Sequence, residues 1–285
     1  MNQHHPSPEK ATIIAHNDGI GDDYRFWSPS FNIHFGYWHW GVNPFDREAM
    51  LFRMNEEVLQ SLQLPMNEPC FVVDAGCGAG ATLRYMAERL PLAQFAGVTL
   101  APWLLGLGEK MNEKAHLADR IELIEADFQS IPLPDNCADA IFCLESACYA
   151  EGKDKATLIR ELHRILKPGG RLVVVDAFRK STRPMPAFLE KIFRKNARLW
   201  AVEELPVLPL FEKRLGDAGF KNVKTEDISW RAAPTAMHIP FVVLRLLWNG
   251  AWKRNDYWKA LLMTCITGLL FRWMGYYMVR AAKRP

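Results

Sequence analysis

One nine-residue stretch constrains this chain more than any other: Val72-Val73-Asp74-Ala75-Gly76-Cys77-Gly78-Ala79-Gly80. A short apolar run ended by three glycines at alternate positions predicts a buried strand that stops in a tight turn. Without a Cβ at Gly76 and Gly78, backbone can lie close against a ligand crossing the strand tip, and Gly80 allows close approach as the next helix begins. The spacing is Gly-x-Gly-x-Gly, so it departs from the Gly-x-Gly-x-x-Gly turn that cradles a pyrophosphate. A turn that serves packing alone remains an alternative at this point.

The segments that follow alternate between strand and helix patterns, which predicts a largely parallel sheet. Strands are expected over Cys70–Ala75, Gln94–Leu100, Arg120–Glu125, Ala138–Leu144, Arg171–Ala177, Lys221–Trp230 and Tyr276–Lys283. Helices are expected over Thr82–Arg89, Trp103–Ala118, Lys153–Leu166 and Phe211–Ala218. In the third of these Leu158, Ile159, Leu162, Ile165 and Leu166 recur at helical spacing, so the stripe should face the sheet. Residues 69–178 form the expected core. Residues 1–68 precede it as a helical and aromatic lid, and 179–285 complete it while carrying two long insertions, 179–210 and 231–275. Connections of that length usually hold function or helices of their own, and all are read as covers over the carboxyl ends of the strands.

The formal charge of +3 on 285 residues requires no nucleic acid. Six cysteines without a CxxC pair read as reduced thiols, consistent with a cytoplasmic protein. Met1 to Lys10 lack the apolar core of a secretory signal. Ala260 to Val279 has the length of a membrane span, with Arg272 as its one charge. Thr264, Thr267, Gly268, Gly275 and Arg272 argue against a span.

Over residues 70 to 180 the chain resembles class I S-adenosylmethionine-dependent methyltransferases. Val72 to Gly80 matches their first motif, Glu125-Ala126-Asp127-Phe128 the acidic motif beside the adenine, and Leu166-Lys167-Pro168-Gly169-Gly170 the turn before the fifth strand. The resemblance implies an α/β, Rossmann-like, seven-stranded methyltransferase sheet with helices on both faces and helical lid insertions. It also implies S-adenosylmethionine as cofactor. Asp74 would orient the glycine loop or meet the methionine amine, and the loop residues Gly76, Cys77, Gly78 and Gly80 would border the cofactor. Asp127 would accept from the adenine amino group with Phe128 beside the ring. Gly97-Val98-Thr99-Leu100-Ala101-Pro102 replaces the acidic ribose-binding end of the second strand. It is similar to the variant in sterol, tocopherol and cyclopropane-fatty-acid methyltransferases, which implies ribose contact through Thr99 and Leu100. That subgroup commonly has Gln where this chain has Leu104.

Leu144-Glu145-Ser146-Ala147-Cys148-Tyr149-Ala150 resembles segments of sterol and prenyl-diphosphate C-methyltransferases. Glu145 would face the cofactor and the transferable methyl, where a carboxylate stabilises a developing cation or takes up a proton; a structural carboxylate is the alternative. Tyr149 and His34 are the other catalytic candidates. Tyr24 to Trp40 resembles the aromatic stretch before the core in lipid-modifying members, with Tyr24 closing over the cofactor carboxylate. Tyr37, Trp38 and Trp40, with Trp248 from the late insertion, are expected at the substrate, where aromatic faces can hold a cation.

The expected reaction is methylation of a hydrophobic small molecule, at carbon on an isoprenoid: a prenyl diphosphate with Mg²⁺, or a sterol- or triterpene-like lipid. O- or N-methylation of a hydrophobic metabolite, cyclopropane-type chemistry and a cofactor-binding partner without catalysis are the other readings. Nucleic-acid methylation is not expected, because there is no basic domain and no Asn-Pro-Pro-Tyr motif. The greasy 231–275 insertion meets substrate, core or a membrane surface. Neither a protein metal site nor an oligomeric state is legible.

Overall fold

The computed structural model describes residues 7–285, so most of the stretch read for a signal core lies outside the described residues. Seven strands form one sheet: β1 Phe71–Ala75, β2 Gln94–Thr99, β3 Ile121–Glu125, β4 Ala138–Leu144, β5 Leu166–Arg179, β6 Phe220–Asp227 and β7 Met274–Lys283. Their order is β3-β2-β1-β4-β5-β7-β6, with β7 antiparallel to both neighbours. Chain direction across the sheet reverses between β1 and β4, which leaves a crevice outside their carboxyl ends. The glycine loop and Glu145 both leave their strands there.

Alternation along the strands divides the core into two faces. Val73 and Ala75 of β1 join one apolar cluster, with Leu158, Ile159, Leu162 and Ile165 of α5 (Ala156–Ile165) and Phe211 of α7 (Leu208–Asp217). Val72 joins the other, with Met54, Val58 and Leu62 of α2 (Arg47–Leu62) and Leu83 and Met86 of α3 (Ala81–Ala87). The four α5 residues are fully buried, each contributing about 2 kcal/mol of apolar burial. The expected Leu166 falls outside that helix and opens β5, whose register shifts between the Ala138 and Ala140 pairings, so the Lys-Pro-Gly-Gly turn lies within the strand as an irregularity.

One expectation needs correction. The sixth strand stops at Asp227 and does not continue to Trp230. Asp227 Oδ1 accepts from both Ser229 N (3.0 Å) and Ser229 Oγ (2.5 Å), which turns the chain into α8, Ser229–Ala236. The apolar tail, argued above not to be a span, is not one continuous helix. It divides into α10 (Tyr257–Gly268), a turn and β7, and among the described residues no helix is long and apolar enough to cross a membrane.

The three flanking segments do carry helices. α1 (Pro8–Ile20) and a short 3-10 turn (Gly21–Phe26) precede α2; α6 (Ala187–Leu199) fills the first insertion. α8, α9 (Ile239–Trp248) and α10 fill the second. Tyr24, Trp27 and Phe31 pack with Ile239, Leu246 and Tyr257 into one apolar cluster, joining the N-terminal cover to the late insertion.

Candidate active site

The glycine loop is built by its neighbours as much as for a ligand. Gly76 N and Cys77 N both donate to the Val98 carbonyl, at 3.0 and 2.9 Å, lacing the loop to β2. Gly76, Gly78 and Gly80 all have positive φ, +110°, +53° and +73°. A Cβ on Gly76 would stand 2.1 Å from Ser146 Cβ, so the turn after β4 demands that glycine. At Gly78 a Cβ would meet only Ile33 Cδ1 at 3.8 Å, so there the backbone angle decides. Ser146 Oγ in turn donates to the Ala75 carbonyl at 2.6 Å and ties the two strand tips together.

These tips floor a cavity of about 710 Å³ bordered by Asp74, Gly76, Cys77, Gly78, Thr99, Leu100, Asp127, Phe128, Glu145 and Tyr149. Gly80 lies behind it as the N-cap of α3. Asp74 is buried, its Oδ1 has no hydrogen-bond partner, and burial raises its carboxyl well above the usual range. An acceptor left unpaired in the interior is costly. A donor in the cavity, such as the amine or ribose hydroxyls of S-adenosylmethionine, would satisfy it, so this chain's residues fit that cofactor. Burial also raises the Cys77 thiol strongly, which leaves it a bordering group and not a nucleophile. On the adenine side Asp127 Oδ1 accepts from Gln129 N (2.9 Å), and Oδ2 meets Lys10 Nζ of α1 at 2.6 Å. Tyr24 lines the cavity from the N-terminal cover, its hydroxyl donating to Asn17 Oδ1 (2.9 Å).

Glu145 is the most constrained side chain in the cavity wall. Its φ is +53°, a strained angle for a residue with a side chain, held by its amide donating to the Val175 carbonyl at 2.8 Å. Oε1 accepts from the Phe35 amide and the Tyr276 hydroxyl, both at 2.5 Å. Burial nonetheless raises the carboxyl to about 7, opposed by those two hydrogen bonds and reinforced by the nearby Asp176 charge. Asp176, at the tip of β5, is itself raised to about 6 by burial and accepts from Cys148 N (2.9 Å) and Ala177 N (2.7 Å). Tyr149 sits on a 3-10 turn, Ala147–Tyr149, and burial raises its phenol.

Sequence reasoning missed Tyr276, Asp176 and Lys155. Lys155 is fully buried, its Nζ donating to the carbonyls of Cys148 (3.2 Å), Ala150 (2.5 Å) and Glu204 (2.7 Å). That ammonium fastens the Glu145–Tyr149 turn to the segment before α7. Tyr276 comes from the far end of the chain, because antiparallel β7 starts beside the end of β5. Its alternation with Tyr277 was the available signal: Tyr276 and Met278 face one side of the sheet, Tyr277 and Val279 the other.

The aromatic stretch acts differently from expectation. Its backbone crosses the cavity, with Phe35 N on Glu145. His34 borders the cavity with Nδ1 donating to the Phe35 carbonyl (2.9 Å), and burial lowers it to about 4, so it is neutral near pH 7. Tyr37, Trp38, Trp40 and Trp248 do not line the cavity. Tyr37 packs into the core, Trp38 Nε1 donates to the Val42 carbonyl, and Trp40 and Trp248 are 84% and 92% exposed. The expected aromatic wall is formed by Trp27, Phe35, Trp200, Tyr257 and Tyr276. Lys10 is the one Lys or Arg among the described lining residues. No group of His, Cys, Asp or Glu among the described residues is arranged to hold a metal ion.

The profile of a family described as "Methyltransferase domain" matches residues 73–174, which run from β1 into β5. The S-adenosyl-L-methionine-dependent Diels-Alderase iccD of Talaromyces variabilis is 28% identical over 231 residues, 75% of this chain and 76% of that protein. Cycloartenol-C-24-methyltransferase 1 of Oryza sativa subsp. japonica is 32% identical over 150 residues, 53% of this chain and 41% of that enzyme. This chain therefore spans less than half of the sterol-modifying relative. The cyclopropane synthase MmaA2 from Mycobacterium tuberculosis has the same fold, with a TM-score of 0.83 over 99% of this chain and 100% of that one at 18% identity.

Proposed function

Starting from the premise that this chain belongs to the class I S-adenosylmethionine-dependent methyltransferases, we propose that it methylates a carbon of a neutral, polycyclic or long-chain isoprenoid lipid. The observation that carries this reading is Glu145, a carboxyl raised to about 7 at the floor of a cavity walled by aromatic rings. The cofactor would supply an electrophilic methyl group. Asp74, Thr99, Leu100, Asp127 and Phe128 would hold it, with Tyr24 above. The cover segments exclude water, and the walls place the acceptor's electron-rich carbon in line with the methyl, so positioning does much of the work.

An alkene that takes a methyl becomes a carbocation. Glu145 Oε1 is held by Phe35 and Tyr276, and the carboxylate, lining the cavity, would stabilise that charge and then remove a proton from the neighbouring carbon. Tyr276 and Phe35, edge to face with centroids 5.9 Å apart, stand beside it. His34, neutral and hydrogen-bonded, is left a shaping role. A diphosphate group suits this cavity less well, because the one cationic residue among its described lining, Lys10, is held by Asp127. Magnesium dependence is accordingly not expected.

A second reading rests on the Diels-Alderase relative, which shares about three quarters of both chains. There the cofactor would stay intact while the cavity folds a polyene for cyclisation. One experiment separates the two. The chain is incubated with methyl-labelled cofactor and a panel of sterols, triterpenes, quinone precursors, phenols and prenyl diphosphates, and products are read by mass spectrometry. Label on carbon of a neutral isoprenoid supports the proposal. Label on oxygen or nitrogen, or an unlabelled isomer of the acceptor, overturns it.

A further inference from the structure

The outer face of the late insertion is unexplained by the cavity. Met237, Phe241, Leu244 and Trp248 recur at spacings of four, three and four, and each is exposed, from 64% to 92%. Leu262 and Ile266 on α10, with Leu269 just after it, repeat the pattern and are exposed as well. The opposite positions, Val242, Val243, Leu246 and Leu261, are buried in the cluster under the lid. These helices are thus apolar on two sides, and the described residues cover only one. Exposed apolar surface of this extent marks a contact site.

Charge identifies the occupant. Residues 229–273 hold six Lys or Arg and one acidic residue, Asp256, a net +5, whereas the whole chain carries +3. Arg254 is paired with Asp23 and Lys259 with Asp256, each at 2.7 Å. Lys253 and Arg272 instead lie over the rings of Trp252 and Trp273, and no acidic partner is found among the described residues. An apolar stripe flanked by basic side chains suits an anionic lipid surface. A symmetric dimer through the same face would set two such positive patches against each other. The cavity also opens here: Met237 before α9 and Pro240 in its first turn, with Gly268 at the end of α10 and Phe271 beyond it, line it while remaining exposed.

We propose that the α9–α10 face docks in the plane of an anionic bilayer, with the cavity mouth turned toward the lipid, so that an apolar acceptor enters without crossing water. Helices of ten and twelve residues are too short to span a bilayer, so contact is with one leaflet. The docking does not depend on which acceptor is methylated.

The test is co-sedimentation of the full chain with phosphatidylcholine vesicles and with vesicles that also contain phosphatidylserine. Binding to the mixed vesicles, weakened by salt, is expected. F241S/L244S and K253E/R272E should each weaken it roughly tenfold or more, with S-adenosylhomocysteine affinity retained as the check on folding. Because a variant can misfold, wild-type tryptophan fluorescence is also measured. Brominated lipid should quench it, and W248F should remove part of that quenching. Absence of binding to anionic vesicles, variants that bind as the wild type does, or light scattering showing a dimer that F241S/L244S dissolves while vesicle binding persists would each overturn the proposal.

Discussion

Replacing Tyr276 by Phe removes one hydroxyl and tests how Glu145 works. That hydroxyl donates to Glu145 Oε1 at 2.5 Å and, with the Phe35 amide, opposes the upward push of burial on the carboxyl. A hydrogen bond to a charged group contributes about 1.5–3 kcal/mol, and one pKa unit is about 1.4 kcal/mol. Losing the bond disfavours the ionised form, so the carboxyl should rise by about one to two units from its value of about 7. If Glu145 acts as a base, kcat/KM rises with pH as the carboxylate forms, and the variant's rising limb moves to higher pH by that amount. The assay is kcat/KM against pH for both proteins, with S-adenosylhomocysteine affinity measured in parallel. A uniformly lower rate with the limb unmoved would refute the reasoning, because Tyr276 would then act only through packing.

Three other outcomes follow from the same geometry. Burial raises the Glu145 carboxyl from the ordinary 4.5 to about 7 in the fold. The folded protein therefore holds its proton more tightly, and stability falls as pH rises from about 4.5 through 7. Glu145→Gln should then stabilise the fold more at pH 8 than at pH 5, by up to about 3 kcal/mol at the higher pH; thermal denaturation at both pH values checks it. Gly76→Ala, whose Cβ would meet Ser146 Cβ at 2.1 Å, should cost more than about 3 kcal/mol, whereas Gly78→Ala should cost about 1 kcal/mol. Denaturant midpoints compare the two. Lys155→Met leaves the Cys148, Ala150 and Glu204 carbonyls without their buried donor. A loss of about 3 kcal/mol is expected, together with a further rise of the Asp176 carboxyl, which Lys155 holds down. Chemical denaturation and carboxyl titration by NMR measure both.

What could be read from the chain followed the range of the forces involved. The central strands are legible locally, because a buried strand must be apolar over its own length, whereas β3 and β6 at the sheet edges mix apolar and polar residues. The end of β6 was overrun because Asp227-Ile228-Ser229 starts a helix through two side-chain hydrogen bonds that hydropathy does not register. Within the site, Asp74, Asp127 and Glu145 were legible because each sits directly after a strand or on its tip. Tyr276 and Asp176 depend on which strands become neighbours, and Lys155 on a carbonyl about fifty residues away. Local alternation gives the face that Tyr276 takes, but not which strand or carbonyl lies beside it. The aromatic stretch misled for a related reason. Its backbone, through the Phe35 amide, meets the carboxylate, while Trp40 points to the surface. Composition located the stretch, and only the packing of α2 and α8 against it decides which rings face inward.

The most direct test of the central claim is a single-turnover measurement on Glu145→Gln with saturating cofactor and the acceptor identified from the panel. The glutamine keeps the shape and the oxygen that accepts from Phe35 and Tyr276, but cannot take a proton. The account predicts S-adenosylhomocysteine affinity within about threefold of wild type and a product-forming rate lower by about 10²–10⁴. An unchanged rate at undiminished cofactor affinity would contradict it and leave Glu145 a structural carboxylate.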